Sequence, residues 1–339
     1  MKQNVSQREI AHLLGVNVST VSRALKGQPG VSPELRKVIV EMAEKMGYRP
    51  NPFAVSLRFN TTHTIGIIVP DISFNHYAHI VKWIETEARK NGYLCIVTDS
   101  NDKYSQEVDC VERLMNIHVE GIAMCLSQET SDFSHLEKLN QYNIPFVLFD
   151  RVADFNCSTV SVNDVDSARQ ATMHLIECGA KRIAFLGGPN KLKQTIDRKH
   201  GYLEALRESG LPIRKELVKC GQVSFNAGLS YTLDLLNSTS PPDAIVADHG
   251  LLSQAAFQAV VSKGLRIPED VAIIGFISDW VSDLSFPRMS FVKQNIREIG
   301  RKTFKMLLDK INGDSSIKNV IVNARLNIKE STMVYKTKQ

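Results

Sequence analysis

The sequence predicts a small all-α head followed by a larger α/β body of two parallel-sheet subdomains, and three observations carry that prediction. The first 50 residues hold three short helical patterns separated by glycine turns and no strand-like run. From residue 64 onward, short apolar runs alternate with helix-length stretches, which is how buried parallel strands joined by crossover helices read. The charge is divided in the same place. Residues 1–60 carry nine Lys/Arg against four Asp/Glu, while the other 279 carry 32 of each, so the net charge of +5 sits on the head. A polyanion-binding module on a neutral sensor has this distribution, and so does a plain solvated basic face.

The head begins with Ser6 and Glu9, spaced as a capping box in which each side chain satisfies an otherwise unpaired backbone donor. A helix is expected from Gln7, with Ile10, Ala11, Leu13 and Leu14 on its buried side. Gly15 ends it in a left-handed turn, and Asn17 is placed to cap a second helix whose Val21, Ala24 and Leu25 point inward. Ser19, Ser22, Arg23 and Lys26 then point outward. This is the spacing of a helix-turn-helix, whose second helix presents its first residues to base edges in the major groove. Arg23 has the fork to contact a guanine, and Thr20 and Ser22 are short hydroxyls suited to phosphate oxygens. An ordinary helical hairpin with a polar face fits the spacing as well. Ser32 and Pro33 open a third helix running to Met46, with Val38, Ile39, Met42 and Met46 as its apolar stripe.

In the body, residues 65–70, 94–98, 121–126 and 145–150 read as one set of strands, with helices at 77–90 and 106–117 among the intervening segments. Residues 158–162, 182–187, 217–222, 244–247 and 271–276 read as a second set. Two such halves enclose a cleft, and open α/β sheets bind ligands beyond the carboxyl ends of their strands.

Composition narrows the class. With 43% hydrophobic and 23% charged residues, the chain has material for two or three packed domains and no sign of disorder. Its first ten residues lack the apolar core of a signal peptide and no segment is long enough to span a bilayer, so a cytoplasmic location without membrane contact is expected. The six cysteines are widely spaced, with no CxxC pair. Cys95, Cys125 and Cys220 lie in or beside predicted strands, so buried reduced thiols are expected. There is no GxGxxG after a strand, no P-loop, no GxSxG and no HExxH, and Gly187-Gly188 lacks the spacing of a phosphate cradle. Neither enzymatic activity, a cofactor nor a metal is expected.

Several ordered motifs carry a resemblance. Val18-Ser-Thr-Val-Ser-Arg-Ala-Leu, Gly47-Tyr-Arg-Pro-Asn and Ile65-Gly-Ile-Ile-Val-Pro-Asp resemble the LacI/GalR family of bacterial transcription regulators, and the likeness runs along nearly the whole chain. It implies a helix-turn-helix domain at 1–50 and a hinge helix and linker at 51–61. It also implies a periplasmic-binding-protein-like core at 62–339, divided into an N-subdomain of about 62–161 and 291–321 and a C-subdomain of about 162–290 and 322–339. Leu57 matches the family's minor-groove wedge and Ala54 its neighbour, although Leu57 equally suits packing at a domain boundary. The tail has no leucine heptads, so the family's default, a homodimer on a near-palindromic double-stranded operator, is expected. The residues assigned to DNA are Ser6, Asn17, Val18, Ser19, Thr20, Ser22, Arg23, Lys26, Ser32, Ala54 and Leu57.

Arg198-Lys-His-Gly-Tyr matches the family's Arg-x-x-Gly-Tyr, whose arginine contacts the effector. His76, Tyr77, Asp150, Arg151, Asn163 and Phe225 stand at family cleft positions, though Asp150 also suits a turn cap and Phe225 a core site. The chain departs from the pattern at three points. Asp248-His249-Gly250 stands where many sugar-responsive members carry Asn-Asp, Gly275-Phe276-Ile277 replaces Gly-Phe-Asp, and Phe74-Asn-His-Tyr77 replaces Asn-Pro-Phe-Phe. Asp248, His249, Ser278, Asp279 and Trp280 are placed to compensate, with Trp280 offering a face to a sugar ring or a base. The implied function is a small-molecule-controlled, sequence-specific DNA-binding regulator, read as a repressor with an effector related to carbohydrates. A solute-binding protein without a DNA role is the alternative.

Overall fold

The computed structural model describes residues 5–48 and 61–333. The expected hinge helix, with Ala54 and Leu57, lies outside the described residues. The chain divides into two units, residues 1–62 and 63–339.

The first unit packs three helices, α1 (Gln7–Leu14), α2 (Val18–Leu25) and α3 (Pro33–Lys45). The capping box forms as the spacing predicts: the Ser6 amide donates to Glu9 Oε2 at 2.6 Å and the Glu9 amide to Ser6 Oγ at 3.3 Å. Gly15 takes φ +60, in the left-handed region glycine enters without strain. Asn17 occupies the start of α2, but its side chain makes no capping bond, so its expected role there falls to backbone geometry alone. Ile10, Ala11, Val21, Ala24, Ile39 and Ala43 form the core. Leu13 and Val38, both expected inside, are 60% and 46% exposed. Each lies about 100° around its helix from the buried arc, and three short helices bury only one face each.

The second unit holds two six-stranded sheets. The first lobe contains β1 (Thr64–Val69), β2 (Leu94–Asp99), β3 (Gly121–Met124), β4 (Phe146–Phe149), β5 (Ser158–Val162) and β11 (Asn319–Val322), in spatial order β11-β5-β4-β3-β1-β2, all parallel. The second contains β6 (Ile183–Gly187), β7 (Val218–Cys220), β8 (Ala244–Ala247), β9 (Ala272–Gly275), β10 (Ser290–Lys293) and β12 (Arg325–Asn327), in order β12-β10-β9-β8-β6-β7. Only β12 runs antiparallel to its neighbour. The helices that matter for the site are α4 (Asn75–Lys90) in the first lobe and, in the second, α7 (Asp164–Glu177), α8 (Lys193–Glu208), α9 (Phe225–Leu236), α10 (Gly250–Ser262) and α11 (Asp279–Asp283). The shorter helices α5 (Tyr104–Asn116) and α6 (Ser134–Gln141) and the returning α12 (Ile296–Ile311) complete the first lobe's cover. Each sheet is buried on both faces by apolar clusters, which is why its strands read as continuous apolar runs rather than alternating ones.

The chain passes between lobes three times: after β5, between β10 and α12, and between β11 and β12. The second crossing falls at residues 294–295 rather than near 290, because β10 completes the second sheet by pairing with both β9 and β12. Asn163 fastens the first and third crossings, its Oδ1 accepting the Ala324 amide at 2.8 Å and the Ser167 hydroxyl at 3.2 Å. All six cysteines are free thiols, but Cys95 and Cys220 are half-buried rather than buried, because each lies on or beside the outermost strand of its sheet. No helix among the described residues is long and apolar enough to cross a membrane.

Candidate functional site

On the head, α2 presents Val18, Ser19, Arg23 and Lys26 at the surface, with Thr20 and Ser22 half-buried beside them. Val18 is an apolar side chain 41% exposed at the start of the helix, next to Ser19, which lies one turn before Arg23 on the same face. Ser6 and Ser32 are exposed but occupied at their helix starts, Ser32 Oγ accepting the Leu35 amide at 3.2 Å. Either serine can still meet a phosphate through the helix N-terminus it closes.

In the body, a cavity of about 430 Å³ opens between the lobes beyond the carboxyl ends of the strands. Of the effector candidates, His76, Tyr77, Asp150, Arg151, Arg198, His249, Asp279 and Trp280 line it. Three do not. Asn163 serves the crossings. Phe225 opens α9 with 38% of its surface exposed, while Val223, two residues earlier, reaches the cavity. Asp248 is fully buried behind His249.

The local reasons for the arrangement are visible in α8. A Cβ on Gly201 would sit 2.0 Å from the Val165 carbonyl, so only glycine lets α8 lie this close to α7. Tyr202 anchors the helix by donating to the Ile183 carbonyl at 2.8 Å. Arg198, one turn earlier, is thereby brought to Asp164 at the start of α7, with Nε 2.7 Å from Oδ1. Its guanidinium also donates to the Asp248 carbonyl and lies 3.9 Å from the Phe276 ring centroid. The Arg-x-x-Gly-Tyr spacing is thus a packing device that fixes the arginine.

Most charges in the cleft are matched, Asp71 instead accepting the Ser73 amide and hydroxyl. Arg151 donates to Asp102 at 2.6 Å, His76 lies 3.1 Å from Asp150, His249 Nδ1 lies 2.5 Å from Asp248, and Lys293 pairs with Asp279 at 2.8 Å on the exposed rim. Burial raises the Asp164 carboxyl to about 6 against the pull of Arg198. Burial pushes Asp150 the same way, but His76, Arg198 and Arg151 together hold it below the usual carboxylate range. Burial also raises the Tyr77 phenol well above its ordinary value. Three buried polar atoms at the cavity have no hydrogen-bond partner among the described residues: Arg151 Nε, Arg198 Nη2 and His249 Nε2, whereas Asp150 Oδ1 is met by His76 Nε2 at 3.1 Å. With charges neutralised in pairs and separate donors and acceptors left over, the site is suited to orienting a polar molecule against Phe74, Tyr77, Phe276 and Trp280.

Phe74 and Asn75, quoted with the cleft motif but given no role, line the cavity, and sequence reasoning missed Asp102, Gln194, Gln254, Lys293 and Gln294, which also line it. Gln194 had a signal, since it stands one helical turn before Arg198 on the same face. Asp102 had none, because its partner Arg151 is 49 residues away. The lobes also touch directly: Gln128 takes Asp102 through its Nε2 at 2.9 Å and accepts the Val223 amide at 3.0 Å, and Lys191 donates to the Glu129 carbonyl at 2.5 Å.

Comparison with known proteins agrees with this division. Residues 7–51 match the family described as bacterial regulatory proteins, lacI family, and residues 62–330 match that described as periplasmic binding proteins and sugar binding domain of LacI family. Catabolite control protein A of Priestia megaterium is 31% identical over 97% of this chain and 99% of its own length. The HTH-type transcriptional repressor CytR of Escherichia coli (strain K12) is 29% identical over 91% of this chain and 90% of its own. Among solved structures, the complex of the transcriptional regulator CelR with cellobiose aligns over 97% of this chain and 100% of that one, at 27% identity and a TM-score of 0.74. The chain belongs to the LacI family of bacterial transcription regulators.

Proposed function

We propose that this chain is a cytoplasmic, homodimeric repressor that holds a near-palindromic operator through α2 of each protomer and is switched by a small, hydroxylated ring compound bound between the lobes. It is an effector-controlled, sequence-specific DNA-binding regulator by family. The observation that carries the finer reading is the pairing of an exposed basic recognition helix on one unit with a buried, partly unsatisfied polar cavity on the other.

Within this reading, Arg23 reads a guanine, Ser19, Thr20 and Ser22 set register on phosphates, and Lys26 adds to the electrostatic grip. Arg198 is the principal effector contact, with Tyr77 and Trp280 supplying aromatic faces. CelR is described as a cellobiose complex, which favours a carbohydrate-related effector here. An effector acts by binding one closure of the lobes more tightly than the other, and the switch is limited to that difference in affinity. Release by an inducer and recruitment by a corepressor use the same parts. The cleft is assigned no catalysis, because its acids and bases are committed to one another in pairs.

A second copy finds apolar surface on both lobes: Leu94 and Val97 on the edge strand β2, 65% and 40% exposed, and Leu284 and Phe286 after α11, 68% and 94% exposed. Two heads on a two-fold dimer explain a palindromic target. The test is selection of bound DNA from a random pool at two salt concentrations. An enriched palindrome is expected; a steep salt dependence with no enriched site leaves only a non-specific polyanion binder.

A further inference from the structure

The pair Asp248-His249 replaces the family's usual pattern after β8, and its geometry carries a chemical consequence. His249 Nδ1 faces Asp248 Oδ1 at 2.5 Å, and Asp248 Oδ2 also takes the Gly188 amide at 3.2 Å. A carboxylate that receives two donors acts as an acceptor, so the proton of the imidazole resides on Nδ1. Burial holds the imidazole below its ordinary pKa, the charges of Arg198 and Arg151 push it further down, and Asp248 only partly opposes them. A neutral ring protonated on Nδ1 leaves a bare lone pair on Nε2. That atom is buried, has no partner among the described residues, and belongs to a residue that lines the cavity.

Two further unpaired groups lie close by. Arg198 is fixed by Asp164 and by the Asp248 carbonyl, which leaves Nη2 as a buried donor without a partner. Thr195, fully buried, has an unpartnered hydroxyl. Gly188 separates that hydroxyl from the imidazole: a Cβ there would meet Thr195 Oγ1 at 2.7 Å and His249 Cε1 at 3.1 Å, so a side chain would close the space between them.

We propose that His249, held by Asp248 as the Nδ1–H tautomer, is a specificity-determining residue that offers the effector an acceptor beside the donor of Arg198. The ligand it selects presents an uncharged edge pairing a donor with an acceptor, as adjacent hydroxyls or an amide do. A carboxylate or phosphate, which has only acceptors at pH 7, meets the lone pair of Nε2 and the charge of Asp248 behind it. This selection rests on the reading of the cleft as an effector site, whereas the tautomer does not.

The experiment has two arms on the full-length protein. Long-range proton–nitrogen correlation spectra of histidine-labelled protein, with the His249 signals assigned through His249→Asn, report the tautomer directly. A neutral Nδ1–H ring at pH 7 is expected, and an Nε2–H ring or an imidazolium overturns the proposal. Thermal shift is then read for matched uncharged and anionic probes: glucose against glucuronate and glucose 6-phosphate, and cytidine against cytidine monophosphate. A stabilisation confined to uncharged members, reduced at least tenfold in apparent affinity by His249→Leu, which has no acceptor, supports it; stabilisation by anionic members alone overturns it. A panel flat in both classes overturns the effector reading and with it the selection, while the spectrum still decides the tautomer.

Discussion

The head and the body solve opposite problems with their polar residues. On the head, the groups assigned to DNA stand at the surface of α2 over a core of six buried side chains. In the body, Asp150, Arg151, Arg198 and His249 lie under the surface, are tied into ion pairs, and expose only selected atoms to the cavity, while Asp279 and Trp280 stand exposed at its rim. The difference follows from the ligands. A polyanion is met by cations that remain hydrated until contact, whereas a small ligand enclosed between lobes must be recognised by groups already desolvated and pre-oriented.

The widest separation of the two regions is expected from Ile39→Ala. Truncating a fully buried isoleucine costs about 2–5 kcal/mol, and a core as small as the head's has little in reserve. Operator binding is expected to vanish while the calorimetric transition of the body stays in place. The matching change Ile245→Ala, also at a fully buried site, is expected to lower the body's transition and leave the protein folded and DNA-binding at 25 °C. Equal effects of both changes on DNA binding would break the comparison.

Arg198→Ala is next. It strands Asp164 in the interior, and breaking a buried pair costs about 3–5 kcal/mol, so ligand response should be lost along with several degrees of body stability. Its affinity for operator without ligand should change far less. Arg23→Ala is smaller: about 1–3 kcal/mol is expected from operator affinity and relaxed discrimination at one base pair, with no change in the thermal stability of the body. Competition titration on operator and random DNA measures it.

The gentlest probe is pH. The folded pKa of His249, and of the half-buried His174, lies below the ordinary histidine value of 6.5, burial being the main cause in both. The unfolded chain thus takes up protons first. Stability from these groups is complete above pH 6.5 and declines as pH falls from there toward the lower folded values. Asp164 works in the other direction. Its folded pKa of about 6 lies above 3.8, so its destabilising charge is relieved as pH falls from 6 to 3.8. The melting temperature of the body should fall on going from pH 7 toward 6, and His249→Asn should make that slope shallower.

The same contrast governs what the sequence makes legible. The capping box at Ser6, the turn at Gly15 and the outward side of α2 are local features, set by residues within four positions of one another. The positions of the strands are signalled by apolar runs because both faces of each sheet are covered, but their partners are not: residues 158–162, read with the second set, pair with β4 and β11 in the first sheet. Arg198 was legible through the resemblance, because the Arg-x-x-Gly-Tyr motif lies within one turn of a single helix, α8. The cleft was not legible where pairing crosses the sheet, as with Asp102 and Arg151, or where a residue expected to face a ligand instead fastens the crossings, as Asn163 does. The return at 294–295 was displaced by sheet completion, a pairing between strands that no run of residues encodes.

The claim that joins the two regions is that occupancy of the cleft sets the grip of the heads. It is tested most directly by titrating the selected operator with full-length protein, with and without a compound that stabilises the body, in parallel with Arg198→Ala. The account predicts an operator affinity that changes at least tenfold, about 1.4 kcal/mol, in the unaltered protein and not in the variant. An affinity indifferent to a compound shown to bind the cleft, or a response that persists in Arg198→Ala, would contradict it.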